Sequence, residues 1–468
     1  MIFNGIDLNP YFRIKAIRGR GLVNRYINAV SVQGMDGEHM TSIENPAKVL
    51  EVDIRIISED LRQTIDGLNE ILATEEPVPI IFPDEPDKTY YGTVETTEET
   101  GERVHLGSHD TTIFIRRSDP FKYGPELTAT FPTDAVTVTN HGTAEADPIF
   151  EMAVIQPVTF AMIQNQNNEY MMLGKPIDVD SIAVEEYELI KHDTMSTTTG
   201  WTVASEIDGG VIRGQMVSQG NRFVASSFGE TYQGWHGPAL KTSLSETLQD
   251  FRVDTLVENM NATGVGRVEI YLLDVNNKAI GKMAMKDMSI GVASNFGEIR
   301  AGGLVDGEYI IAESPSNVWN NFDGILRIER IGKDWLAHIG KIRADGTHHA
   351  RRTIRFTDAE GKYMQRVAQI QVHIGISRGR TPTQMSVKDI KVWKVNNLDD
   401  NEVPYIAHPG DVITFDHKDD ELLINGEDRK DLKDFGGTYF KLKKGQNQLV
   451  VHPSNSFNTS IRYRERYR

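Results

Sequence analysis

Short alternations of apolar and polar residues dominate the chain. Runs at 49–57, 111–116, 268–273, 325–331, 369–376 and 389–395 are rich in β-branched residues and alternate in polarity, which predicts strands. Turn dipeptides punctuate them: Asp36-Gly37, Asp208-Gly209, Asp306-Gly307, Asp323-Gly324, Asp345-Gly346 and Asn425-Gly426. Asn-Gly and Asp-Gly accept positive φ at little cost, so each predicts a tight hairpin. Regular short strands with such punctuation point to sandwiches or barrels rather than to βαβ units. One segment departs from the pattern. Ser58 reads as an N-cap, Glu59 and Asp60 suit the positive end of a helix dipole, and Leu61, Ile65, Leu68 and Leu72 form one apolar stripe. The spacing predicts a helix over 59–72, ended before Pro77 and Pro79 and packed on a β domain.

A chain of 468 residues has room for about three domains. Connectors are expected at 116–125, with two prolines and a glycine, at the polar stretch 192–200, and at 396–402. Between the last two lie about 200 residues of strands and turns, enough to fold alone. The flanks are less self-sufficient: 131–190 and 403–468 each hold too few strands to bury both faces of a sandwich. Together they approach a domain of about 130 residues, near the usual size. The middle stretch therefore reads as an insert in a domain whose halves meet in space.

The opening carries Gly5 and Tyr11-Phe12-Arg13-Ile14. It is followed by the amphipathic helix, the strand Lys88-Thr-Tyr-Tyr-Gly-Thr-Val-Glu95 and the connector Ser118-Asp-Pro-Phe-Lys-Tyr-Gly124. Near the end stand Pro409-Gly-Asp-Val-Ile-Thr-Phe-Asp416, Glu421-Leu-Leu-Ile-Asn-Gly426, Tyr439-Phe-Lys-Leu-Lys-Lys-Gly-Gln-Asn447 and the basic Ile461-Arg-Tyr-Arg-Glu-Arg-Tyr-Arg468. In this order the segments resemble the distal tail proteins of long-tailed, siphovirus-type phages, over about residues 1–190 and 398–468. The resemblance implies a mainly β protein: an N-terminal β domain with one packed helix (1–127), then a galectin-like β-sandwich in two parts (128–195 and 396–468). That sandwich is split by an insert (196–395) resembling a concanavalin/laminin-G-type jelly roll. It further implies a structural hub at the virion tail tip, a hexameric homo-oligomeric ring between tail tube and host-adhesion apparatus that contacts tail-tip and baseplate proteins. Some longer members of the family carry carbohydrate-binding modules as inserts, which brings in host cell-wall polysaccharide as a partner. The alternatives are a tail-associated glycan hydrolase and a purely structural insert.

The insert holds all five tryptophans. Trp335 and Trp393 sit in alternating strands and read as core, as does Trp201. Trp235 and Trp319 sit in glycine- and asparagine-rich stretches that read as loops. Their rings could pack on pyranose C–H groups while neighbouring polar groups meet the hydroxyls; the other reading is that they plug the ends of the sandwich. Tyr232, Trp235, His236, Trp319 and Asn320 are the candidate carbohydrate-binding residues. The adjacent His348 and His349 point to opposite faces of a strand, and Asp274 and Asp178 lack the glycine and distal glutamate of a calcium loop, so no metal is expected. No Gly-x-Ser-x-Gly elbow or phosphate-binding glycine loop occurs, and the chain reads as a non-enzyme without cofactor. A carboxylate pair such as Asp323 with Glu329 is the form hydrolysis would take. The absence of cysteine removes disulfides, thiolate metal sites and a Cys nucleophile, and the net charge of −17 argues against a nucleic-acid partner. Residues 1–10 lack the basic and apolar regions of a secretory signal, and no apolar run is long enough for a membrane span. The arginines clustered near Gly19 and Gly21 could pair with acids in an assembly, whereas those at 462, 464, 466 and 468 read as a solvated edge.

Overall fold

The computed structural model describes residues 1–22, 24–99, 107–260, 264–378 and 380–468. The N-terminal domain is a seven-stranded sheet in the order Ile6–Asp7, Ile2–Phe3, Val78–Ile81, Tyr90–Glu99, Ser108–Arg117, Lys48–Ile57 and Phe12–Arg18. The expected helix spans Leu61–Leu72 and lays Leu61 and Leu68 into the core formed by Leu50, Val52, Ile54, Ile113 and Ile115. Its cap is Asp60, whose carboxylate accepts from the Gln63 N–H at 3.1 Å, and not Ser58. Ser58 is still tied to the sheet through its N–H on the Gly107 carbonyl (2.9 Å), so the helix begins two residues later than the sequence suggests. A separate two-stranded ribbon, Tyr26–Val30 with His39–Glu44, stands off this domain with almost every side chain exposed.

Two further sheets use only residues that flank the middle of the chain. Six strands run in the order Lys122–Thr130, Phe457–Tyr467, Ile149–Val154, Val412–Asp416, Glu421–Ile424 and Glu427–Asp428; four run Ala135–Asn140, Gly445–His452, Phe160–Asn165 and Tyr170–Gly174. Phe150, Met152, Ile163, Phe415, Leu449 and Ile461 fill the space between them. Phe457–Tyr467 is an interior strand, paired on both sides, which corrects the expectation of a solvated edge. Its alternate arginines are structural. Arg464 donates to the Gly124 carbonyl and the Tyr91 hydroxyl (2.8 Å each), and Arg466 pairs with Asp147 at 2.7 Å. Arg18 pairs with Glu51 and Asp53, and Arg20 with Asp84, within the N-terminal domain.

The middle of the chain forms its own sandwich, sharing no strand with those sheets. One sheet runs Gln215–Ser218, Phe223–Ser227, Gln384–Val395, Phe251–Met260, Phe322–Ile331, Asp334–Ile342 and His348–Thr357; Tyr187–Asp193 also pairs with Gln384–Val395. That last pairing places a strand expected in the flanking sandwich inside the insert. The second sheet runs Thr202–Val203, Ala239–Leu248, Val367–Ser377, Gly266–Leu273, Ala279–Asp287, Asn295–Ala301 and Glu308–Glu313. Asp323-Gly324 is not a turn: Gly324 lies inside Phe322–Ile331, where a Cβ would come within 2.1 Å of the Gly340 carbonyl oxygen, so only glycine admits the neighbouring strand. Asn425-Gly426 does turn as expected, with φ of 52° and 77°, joining Glu421–Ile424 to Glu427–Asp428.

Candidate functional site

Strand Gly266–Leu273 turns Val268, Ile270 and Leu272 into the core, which leaves Arg267, Glu269 and Tyr271 on the other face of its sheet. Neighbouring strands add Gln371 and His373, Lys282, and Glu298 and Arg300 to that face. None of these side chains is more than 5% exposed. They are covered by residues 204–212, a strap laid across the sheet. Its Asp208 carboxylate reaches Arg300 Nη2 at 2.7 Å and Lys282 Nζ at 3.3 Å, and its backbone N–H donates to the Tyr271 hydroxyl at 3.0 Å. Gln371 Nε2 donates to the Glu206 carbonyl at 2.9 Å, and Gly210–Ile212 pairs in parallel with Trp235–Gly237. Ile207 and Ala204 close an apolar patch with Tyr271 and Leu273.

The electrostatics of this face bear on catalysis. Lys282 Nζ stands 2.7 Å from Glu269 and 3.4 Å from Glu298. Burial pushes both carboxyls toward the neutral acid, but the cations outweigh it: Arg267 and then Lys282 for Glu269, Lys282 and then Lys286 for Glu298. Both end below the ordinary carboxylate range. Glycoside hydrolysis needs one carboxyl kept protonated as general acid, and this pair supplies none. The pair that the sequence raised is excluded by distance. Asp323 and Glu329 lie six residues apart on one extended strand, about 20 Å, against the roughly 5–9.5 Å that glycosidases use. Asp323 is instead held by Lys388 at 2.7 Å, and Glu329 accepts from the Tyr187 hydroxyl at 3.2 Å.

The candidate sugar-binding residues divide into two places. Tyr232, Trp235 and His236 come together near the end of the strap. Tyr232 is 37% exposed, with the Arg213 guanidinium 5.3 Å from its ring centre. Trp235 is half-buried in a strand rather than a loop, with Arg267 over its ring at 4.8 Å. His236 is buried, its Nδ1 3.1 Å from the Gly234 carbonyl. Trp319 lies on the inner side of the sheets, 1% exposed and edge-on to Phe322. Of the two readings open for Trp319 the structure gives the plug, since a buried ring has no face for a sugar. Asn320 spends its side chain on the Asn295 N–H, the Ala293 carbonyl and Asn317, all at 3.0–3.1 Å, and so fastens the plugging loop. Trp319→Phe should therefore lower the stability of the insert by about 1 kcal/mol in denaturant titration and leave any glycan binding unchanged. A selective loss of binding without loss of stability would contradict this placement. Trp201 and Trp335 are core as expected; Trp393 is half-buried on the outer face under Arg252, 5.3 Å from its ring. Sequence reasoning missed the covered polar face. Its signal is the charge at alternate positions of three strands, Arg267 with Glu269, Lys282, and Glu298 with Arg300; in the sheet Lys282 lies opposite Tyr271 and Arg300, and it meets Glu269 and Glu298 on the diagonal.

Among the described residues no cluster of three or more His, Asp or Glu side chains could hold a metal, and no helix is long and apolar enough to cross a membrane.

Comparison with known proteins agrees at both ends of the chain. A family described as a phage tail protein RIFT-related domain matches residues 5–106, and the C-terminal domain of a siphovirus-type tail component matches 379–467. The distal tail protein of Bacillus phage SPP1 is 38% identical over 152 residues, which is 32% of this chain and 59% of that protein, so the chain spans under two thirds of its length. The crystal structure of the SPP1 protein, described as a paradigm of the hub adsorption apparatus in phages infecting Gram-positive bacteria, is 31% identical. It covers 37% of this chain and 73% of that one, at a TM-score of 0.34. Also similar are the CBM2 module of the evolved distal tail protein of Lactobacillus casei BL23 phage J-1 (16% identity, 46% of this chain and 100% of that one, TM-score 0.40) and the laminarinase of Rhodothermus marinus (12%, 45% and 98%, TM-score 0.33). With matches in the same order at both ends, on the two regions that enclose the inserted sandwich, the chain belongs to the siphovirus-type distal tail proteins.

Proposed function

We propose that the protein is a structural hub at the distal end of a phage tail. Its N-terminal domain self-associates into a ring, hexameric by family analogy, between tail tube and host-adhesion apparatus. The split sandwich receives tail-tip or baseplate proteins, and the insert adds affinity for host cell-wall polysaccharide. Besides family membership, the observation that carries the ring is the bare ribbon of the N-terminal domain. Tyr26, Ile27, Val30, Met40 and Ile43 are between 47% and 65% exposed in the single chain. Contiguous apolar surface of this kind marks an association site.

The test is the mass of the full chain in solution by light scattering. Wild type is expected as a closed oligomer, and Ile27→Asp with Ile43→Asp as a monomer with an unchanged far-ultraviolet circular dichroism spectrum, because both positions face water in the single chain, while its thermal midpoint falls by whatever association contributes. A wild-type chain that stays monomeric at high concentration, or a double variant that keeps the oligomer, overturns the ring.

A further inference from the structure

We propose that the saccharide site of the insert is the open cavity of about 480 Å³ beside the strap, and that it takes neutral pyranosides rather than anionic polymers; this rests on the reading of the insert as a polysaccharide-binding module. The volume falls within the range of small-ligand sites, about 300–1,000 Å³. Tyr271 and Leu273, each 2% exposed, close its base beneath the strap, and the apolar surface left to a ligand is Ala279 and the edge of Ile207. The facing lip is the loop 303–306, on which Leu304 and Val305 are 48% and 98% exposed. Such a surface and lip suit the C–H faces of a sugar ring.

Hydroxyl recognition needs donors and acceptors at the edge of that apolar surface, and Asp306 and Asn277 stand there, whereas Gln371 is buried with its Nε2 on the Glu206 carbonyl. The charges decide the class of sugar. Glu206 and Asp306 border the cavity and make no ion pair among the described residues, whereas Lys278 is the single cation in its lining. Two uncompensated carboxylates accept hydroxyl protons readily and repel phosphate or uronate groups. The aromatic pair at the other end of the strap is a poorer platform, because Arg213 and Arg267 already occupy one face of the Tyr232 and Trp235 rings.

The experiment applies the full chain, fluorescently labelled, to immobilised neutral glycans (glucose, galactose and N-acetylglucosamine oligomers) and to anionic ones (polygalacturonate and a poly(glycerol phosphate)). Wild type is expected on neutral glycans alone. Asp306→Ala is expected to weaken that binding about tenfold or more, as the loss of a hydrogen bond to a charged group entails, and the double change Leu304→Ser with Val305→Ser to weaken it by a similar factor through lost apolar contact. All three residues are exposed, so the variants should fold, and Trp235→Ala should bind as wild type. Neutral binding unaffected by the cavity variants overturns the site but spares the module. Binding to anionic glycans alone overturns the sugar class. No binding to any glycan, together with no labelling of bacterial cell walls, overturns the module and the site together.

Discussion

Replacing Lys282 with methionine is expected to destabilise the insert by about 3 kcal/mol, the low end of the cost of removing one partner from a buried ionic cluster, since Arg267 still pairs with Glu269, Lys286 and Arg300 with Glu298, and Arg300 with Asp208. Methionine keeps the stem and most of the volume but takes away the ammonium that stands between Glu269, Glu298 and Asp208, at a position 2% exposed. The carboxylates it leaves behind cannot be rehydrated while the strap stays in place. All five tryptophans lie in the insert, so fluorescence during urea unfolding reports on this domain alone. Combining Lys282→Met with Glu269→Gln should recover part of the loss, because the second change removes the charge that the first strands. A loss below about 1 kcal/mol, or simple additivity of the two changes, would mean that water reaches the cluster. The same face carries a pH dependence. Burial, reinforced by Arg267, lowers the pKa of His373 to about 3, while an unfolded histidine binds its proton near 6.5. Between those values the unfolded chain holds more protons than the folded one, so stability falls as pH drops from about 6.5 toward 3. Glu269, with a folded pKa below its unfolded value, adds to the loss once pH passes below about 4.3.

How much of this was legible in the sequence depended on whether a feature is local. The helix, the six predicted strands and the Asn425-Gly426 turn follow from spacing within a dozen residues, and the structure contains each of them. Faces were harder. Trp393 was read as core from its alternation, yet a bulge shifts the register of Gln384–Val395 against Phe251–Met260 between Val387 and Asp389. The core positions therefore pass from Met385 and Val387 to Ile390 and Val392, and Trp393 faces outward. Trp319 shows the converse. Pro315 and the positive-φ Asn317 and Asn321 mark correctly that the chain turns, but the direction of the ring depends on Phe322 and the opposing sheet. The strap was least legible of all. Asp208-Gly209 carries a hairpin signature, while the partners of Asp208 lie 74 and 92 residues further along the chain.

Glu427→Ala is expected to loosen the insert from the sandwich that carries it, at a cost of about 3 kcal/mol. Arg327, 7% exposed, forks between the two domains. Its Nε and Nη2 reach Asp254 of the insert at 2.8 and 2.9 Å, and its Nη1 and Nη2 reach Glu427 of the flanking hairpin at 2.5 and 2.8 Å. Beside this fork the hairpin turn is pressed against the insert. The His348 N–H donates to the Gly426 carbonyl at 3.0 Å, and a Cβ on Gly426 would fall 2.2 Å from the Gly346 carbonyl oxygen. The loss should sit at the low end of the range for buried pairs, since Arg327 keeps Asp254. Hydrogen exchange gives the direct readout: the His348 amide should lose protection while amides inside Phe251–Met260 keep theirs. X-ray scattering should show a larger radius of gyration at the same mass. Burial opposes the charge on Glu427, but Arg327 overcomes it and holds the pKa at about 2. A carboxyl depressed in this way stabilises the docked form above the ordinary carboxylate range and ceases to do so as pH falls toward 2, so docking should be intact at neutral pH and fail between about 4.3 and 2. His338, in the same cleft and lowered to about 4 mainly by burial, gains a proton in that interval and adds a further cation beside Arg327 and Arg252. If Glu427→Ala leaves both His348 protection and the scattering curve unchanged, the fork does not fix the insert, and the contact of Gly426 with Gly346 and His348, the Arg351–Asp428 pair and the two chain connections must set the direction in which the cavity beside the strap faces.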